Sequence, residues 1–195
     1  MFLFVRKLKY NNIIRNKKIS ERNEISFIEY NKLNELIFNN FFIFLSKYDI
    51  KSIAFYLSTK NEVNTKKIIS KLLEKKINIS LPQVINNKDM IFRKINSLNF
   101  DYEYFKNIKQ PSSSNLFIKP NEIQMMVIPL IAYNKKMFRL GYGSGFYDKF
   151  LNKNDKQNKI LKVGFAYNFQ QDENFLVHKH DKKLDFIINE NEVIE

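Results

Sequence analysis

Residues 52–82 read SIAFYLSTKNEVNTKKIISKLLEKKINISLP. They open on Ser52-Ile53-Ala54-Phe55-Tyr56-Leu57, a short apolar run with strand character. A polar loop follows over residues 58–64. Residues 65–75 then carry Ile68, Ile69, Leu72 and Leu73 at helical spacing, so one face of a helix is apolar. Residues 77–81 return to strand character and are expected to stop at Pro82. Strand, loop, helix and strand in that order make a βαβ unit, which predicts a parallel sheet covered by helices.

Upstream, residues 4–18 are basic and weakly amphipathic. Ser20 reads as a helix cap, with Glu21 and Glu24 in the first turn where negative charge suits the helix dipole. That helix is expected to reach about residue 45, with Asn39 and Asn40 as candidate breakers. Downstream, residues 90–95 suit a strand or hairpin arm. Residues 96–120 hold Pro111, Pro120 and Ser112-Ser113-Ser114 and read as a long irregular surface loop. Residues 125–133 are a near-continuous apolar run suited to the centre of the sheet. A helix starts near residue 146, and residues 160–167 and 184–188 supply the last two strands. No repeat or linker divides the chain, so residues 1–195 are expected to form one α/β domain.

Hydrophobic residues make up 44% of the 195, which excludes disorder as the main state. The absence of cysteine excludes a disulfide framework, a thiolate zinc site and a cysteine nucleophile. Two histidines, His178 and His180, leave no room for a histidine-rich metal cage, and no apolar run is long enough to cross a membrane. The net charge of +13 by itself suggests a polyanion partner. Yet only five of the 33 basic residues are arginine, the residue that grips bases and phosphates through its planar fork, and the lysines are dispersed. A solvated surface is therefore expected rather than a nucleic-acid face. The field still draws small anions toward any cleft.

Three of the four glycines fall within five residues, in Arg139-Leu140-Gly141-Tyr142-Gly143-Ser144-Gly145-Phe146-Tyr147-Asp148. Alternating glycines permit positive φ and let backbone N–H groups approach an anion, and a helix starting behind them adds its positive end. A phosphate cradle is one reading and a plain tight turn the other. The spacing matches neither the P-loop nor the dinucleotide fingerprint.

This glycine stretch, preceded by Val127-Ile128-Pro129-Leu130-Ile131-Ala132-Tyr133, resembles the signature of the 5-formyltetrahydrofolate cyclo-ligase family, also called 5,10-methenyltetrahydrofolate synthetases. Tyr56-Leu57-Ser58, Glu62-Val63-Asn64-Thr65, Leu81-Pro82 and Ile108-Lys109-Gln110-Pro111 resemble family segments in the same order. So do Val163-Gly164-Phe165-Ala166, Gln170, His180-Asp181 and Leu184-Asp185, so that the likeness covers nearly the whole chain.

The resemblance implies a mostly parallel sheet flanked by helices, similar to the sugar-phosphate isomerase and CoA-transferase type. It implies a ligase of one-carbon metabolism that uses ATP and Mg2+ to convert 5-formyltetrahydrofolate into 5,10-methenyltetrahydrofolate. By position, Lys9, Arg139, Leu140, Gly141, Tyr142, Gly143, Ser144, Gly145, Phe146 and Tyr147 would contact ATP. Leu57, Glu62 and residues 143–147 would border the folate, and Asp148 and Asp181 would bind the metal. Arg139, Tyr147 and Asp148 would carry the catalysis. Away from the resemblance, Asp148 also fits a plain helix-start carboxylate, Asp181 a turn cap and Glu62 a solvated loop charge. His178 is expected to be exposed.

The chain departs from the family in places. The family's N-terminal helix carries a lysine and, four residues on, an arginine near the nucleotide. Val5 and Lys9 stand at those positions, and Arg6 or Lys7 would substitute for the missing lysine. Ser144 replaces a frequent lysine, and Leu176 a frequent proline. A catalytically weak or inactive folate- or nucleotide-binding relative is the alternative. The implied partner is a reduced folate, with or without a polyglutamate tail, with no nucleic acid and no membrane. The protein is expected to be a monomer. Because the likeness begins within the first ten residues, a cytoplasmic location is expected ahead of organellar targeting by the basic N-terminus.

Overall fold

The structure is a computed structural model. It describes residues 2–86, 89–154 and 159–195, with side chains from residue 9 onward. Two helices come first, α1 (Phe2–Asn23) and α2 (Phe27–Leu45). The βαβ unit follows as β1 (Ser52–Ala54), α3 (Thr65–Glu74) and β2 (Asn78–Val84), with Ile53 opposite Ile79 in parallel register. Next are β3 (Met90–Ile95), the hairpin β4 (Tyr102–Phe105) and β5 (Ile108–Pro111), and the short β6 (Phe117–Ile118). The chain continues through β7 (Met125–Ile128), β8 (Ala132–Tyr133), β9 (Arg139–Leu140) and α4 (Phe146–Asn154). It closes with β10 (Leu161–Phe165), β11 (Phe186–Ile188) and β12 (Val193–Ile194).

Eight strands form one sheet in the order β12-β11-β10-β7-β1-β2-β3-β6. The inner pairs from β11 to β2 are parallel, whereas β12 on one edge and β3 and β6 on the other pair antiparallel. The expected mostly parallel sheet is therefore mixed at its edges. One face packs on α2 and α3, where Phe41 sits edge-on against Phe165 at 5.2 Å and Phe55 at 6.1 Å. Burying a phenylalanine of this kind stabilises the fold by about 1.5–3 kcal/mol. The other face holds Met126, Ile128 and Ile187 beneath Phe150 and Leu151 of α4.

Several local expectations are corrected. Ser20 lies inside α1 and is not a cap. The buried positions Asn11, Ile14, Lys18 and Arg22 recur every three or four residues, so one docked face carries the helix straight through Ser20. Ser26 is the cap: its hydroxyl accepts the Glu29 N–H at 3.2 Å. Asn40 does not break α2, because its side chain donates to the Asn189 carbonyl at 2.9 Å.

Pro82 does not stop β2. Asn78 N–H donates to the Lys51 carbonyl and the Ser80 carbonyl accepts from Phe55, so the even-numbered residues of β2 face β1. Because β1 ends at Ala54, the N–H that Pro82 lacks would have met no strand. Residues 96–120 contain β4, β5 and β6 rather than one irregular loop. The β4–β5 turn is Lys106-Asn107, both with positive φ (48° and 64°), the conformation that suits a two-residue hairpin. The apolar run 125–133 is split: β7 ends before Pro129, and Ala132–Tyr133 pairs instead with β9.

Candidate active site between two cavities

The parallel strands deliver their C-terminal ends to one edge, and the loops there build the site, the usual place for a ligand in an open α/β sheet. After β7, the short β8–β9 ladder turns on Met137 (φ 67°), and the Asn134 side chain accepts the Lys136 and Phe138 amides. β9 then releases the glycine loop. Gly143 has φ 101° and Gly145 φ 68°, a region that side-chain-bearing residues enter only with strain. Among the described residues the amides of residues 143–146 have no acceptor, and α4 begins at Phe146 with its positive end behind them. Bare amides and a helix start aimed at one place form an anion cradle.

A cavity of about 660 Å3 lies over this loop, lined by Arg139, the glycine loop, Asp148 and Asp181, with Asn11 and Arg15 from α1. Arg139 is buried. Its Nη2 pairs with Asp148 Oδ1 at 2.9 Å and its Nη1 donates to the Lys182 carbonyl at 3.0 Å. The same Asp148 oxygen accepts the Lys182 amide at 3.0 Å, and Asp181 Oδ2 accepts the His178 amide at 2.7 Å. Among the described residues, the second oxygen of each acid has no hydrogen-bond partner. Arg15 Nε donates to the Gly141 carbonyl at 2.7 Å, and its guanidinium lies 3.7 Å from where a Cβ on Gly143 would sit. Burial pushes the Arg15 pKa down, and nearby Asp181 opposes that shift.

A second cavity of about 370 Å3 opens on the other side of the loop. Leu57, Glu62, Pro82 and the β4–β5 hairpin line it, and Pro129, Tyr142, Ser144, Phe146 and Tyr147 belong to the walls of both cavities. Glu62 is only 6% exposed. Its Oε2 accepts the Thr59 amide at 2.7 Å and hydroxyl at 2.8 Å, and its Oε1 accepts the Tyr142 hydroxyl. Burial, followed by the Glu62 charge, pushes the phenols of Tyr142 and Tyr147 well above their ordinary range, so both remain hydrogen-bond donors.

The profile of the 5-formyltetrahydrofolate cyclo-ligase family matches residues 11–190. The chain belongs to this family. A 5-formyltetrahydrofolate cyclo-ligase of Mycoplasma pneumoniae is 34% identical over 181 residues, which is 92% of this chain and 98% of the relative. A solved 5,10-methenyltetrahydrofolate synthetase of Mycoplasma pneumoniae superposes with a TM-score of 0.77 at 31% identity, covering 93% of this chain and 99% of that one. The Aquifex aeolicus synthetase gives 0.80 at 26% identity, with 95% and 92% covered. The chain is thus a cyclo-ligase of folate one-carbon metabolism.

As a cyclo-ligase, the chain gathers most of its sequence-predicted site residues in these two cavities. Arg139, Asp148, Asp181 and the glycine loop line the first, and Leu57 and Glu62 line the second. Lys9 is exposed, and the described α1 side chains at the first cavity are Asn11 and Arg15. Val5, Arg6 and Lys7 carry side chains outside the described residues. His178 is half-buried in the first cavity rather than exposed. Sequence reasoning missed Arg15, Arg22 and the hairpin residues Phe105 and Ile108. The arginines did leave a signal: of five in the chain, three (Arg15, Arg22 and Arg139) surround the glycine loop.

Proposed function

We propose that the chain closes 5-formyltetrahydrofolate to 5,10-methenyltetrahydrofolate across the glycine loop, with ATP in the larger cavity and the folate in the smaller. The observation that carries this reading is the shared wall: Pro129, Tyr142, Ser144, Phe146 and Tyr147 border both hollows, so a terminal phosphate and a formyl group meet there. The formamide oxygen attacks the γ-phosphorus of ATP and ADP leaves. The second folate nitrogen then attacks the activated formyl carbon and gives up its proton, and the C–O bond breaks with release of phosphate, which carries that proton away. Holding the partners in line and neutralising phosphate charge is most of the catalytic work in such transfers.

The chain's own groups divide that work. The bare amides of residues 143–146 and the start of α4 hold the phosphates, with Arg15 beside them. Arg139 keeps Asp148 at the mouth of the cleft. Leu57 packs on the pterin, and Glu62 accepts its N–H groups. Among the described residues no three acids or histidines cluster to hold a metal. The free oxygens of Asp148 and Asp181 fit magnesium, a cation that takes one or two carboxylates and completes its shell with water and substrate phosphates. Bound there, it would neutralise charge on the transferring phosphate.

The test is turnover of 5-formyltetrahydrofolate with ATP and magnesium, followed by the absorbance of the methenyl product. ATP-dependent product formation is expected. Folded protein that makes none at saturating ATP overturns the reading.

A further inference from the structure

Arg22 stands out among the buried groups. It is 5% exposed, forms no ion pair among the described residues, and its Nε has no partner. A guanidinium taken out of water without a carboxylate beside it is costly and needs compensation from elsewhere. The compensation here runs through one oxygen. Arg22 Nη2 donates to the Tyr142 hydroxyl at 2.9 Å, and that hydroxyl donates to Glu62 Oε1. A phenol has one proton to give and lone pairs to receive, so the polarity of this chain is fixed: cation to phenol to carboxylate. The Arg22 guanidinium also lies 5.9 Å from the centre of the Tyr142 ring.

We propose that Arg22, acting through Tyr142, is a positioning residue that holds the Glu62 carboxylate aimed for folate. This rests on the reading of Glu62 as the pterin acceptor. The geometry supports it in two further ways. The Glu62 main-chain carbonyl accepts the Tyr30 hydroxyl at 3.2 Å, and its other carboxylate oxygen is held by Thr59, so Tyr142 controls the oxygen that remains. Tyr142 also belongs to the glycine loop, so the bond that orients the folate acceptor fixes one end of the phosphate cradle. Arg15, seven residues earlier on α1, holds the loop at Gly141. The first helix therefore grips the partition at two points, and only the Arg22 point reaches the folate side.

The test is a set of variants read as separate Michaelis constants for folate and ATP. Arg22→Met and Tyr142→Phe are each expected to raise the folate KM about tenfold, equivalent to about 1.4 kcal/mol, with a smaller change in the ATP KM. The double variant Arg22→Met/Tyr142→Phe is expected to be no worse than either single one, because both break the same path. In a Glu62→Gln background Tyr142→Phe is expected to add little. Arg22→Lys, which keeps the charge, is expected to recover part of the loss. Additive effects, or equal rises in both constants, overturn the proposal. If Arg22→Met does not fold, the Tyr142→Phe and Glu62→Gln cycle decides alone, since removing one phenol oxygen from a half-exposed ring leaves the packing intact. Glu62→Gln without effect on the folate KM overturns the pterin reading and this one together. A Glu62→Gln rise that Tyr142→Phe does not share overturns only the role of Arg22 and Tyr142.

Discussion

The two hollows on either side of the glycine loop are built in different ways. The larger is made of backbone and charge: unpaired amides, a helix start, Arg15, and two acids each with a free oxygen. The smaller is made of shape: Leu57, Pro82, Phe105, Ile108 and Pro111, with the single buried carboxylate of Glu62 among them. The contrast follows what each would hold. A triphosphate is recognised mainly by charge and exposed N–H groups. A flat heterocycle is recognised by an apolar slot with a few placed polar atoms.

Substitutions on the two sides are expected to separate accordingly. Asp148→Asn should give the largest effect, a fall in kcat on the order of 10³-fold from lost charge neutralisation. It also leaves the buried Arg139 without its carboxylate, so thermal melting is expected to drop as well. Activity close to that of the parent chain would remove Asp148 from the chemistry. Gly143→Ala comes next. At φ 101°, with its new Cβ 3.7 Å from the Arg15 guanidinium, an alanine is strained by about 1–2 kcal/mol. The ATP KM should rise about tenfold with less change for folate, and an equal rise in both would erase the division of labour. Asn107→Val is the mildest. A β-branched residue at φ 64° loosens the β4–β5 turn, and the folate KM should rise about threefold while the ATP KM holds. An effect on ATP alone would reverse the assignment of the hairpin.

The two sides also differed in how much the sequence disclosed. The glycine loop was legible because its composition stands against the rest of a glycine-poor chain, and the apolar run 125–133 placed it just behind a central strand. The hairpin was not legible. Its turn uses Lys106-Asn107 in a left-handed conformation without a glycine, and its strands mix tyrosine, glutamate and lysine with exposed faces. The hold of α1 on the loop was hidden for another reason. Its buried stripe is Asn11, Ile14, Lys18 and Arg22, so a search for apolar periodicity passes over three of its four positions. Those polar groups are buried because partners distant in sequence receive them: the Leu176 backbone for Asn11, the Phe169 carbonyl for Lys18 and Tyr142 for Arg22. Only tertiary structure supplies such partners.

A partition one loop thick has a consequence for inhibitor design. An anionic head seated on the unpaired amides and a planar ring reaching toward Glu62 lie close enough for one short tether. Joining them makes the second capture intramolecular, with an effective concentration on the order of millimolar. A compound of that form would gain affinity from a wall that two separate ligands must share.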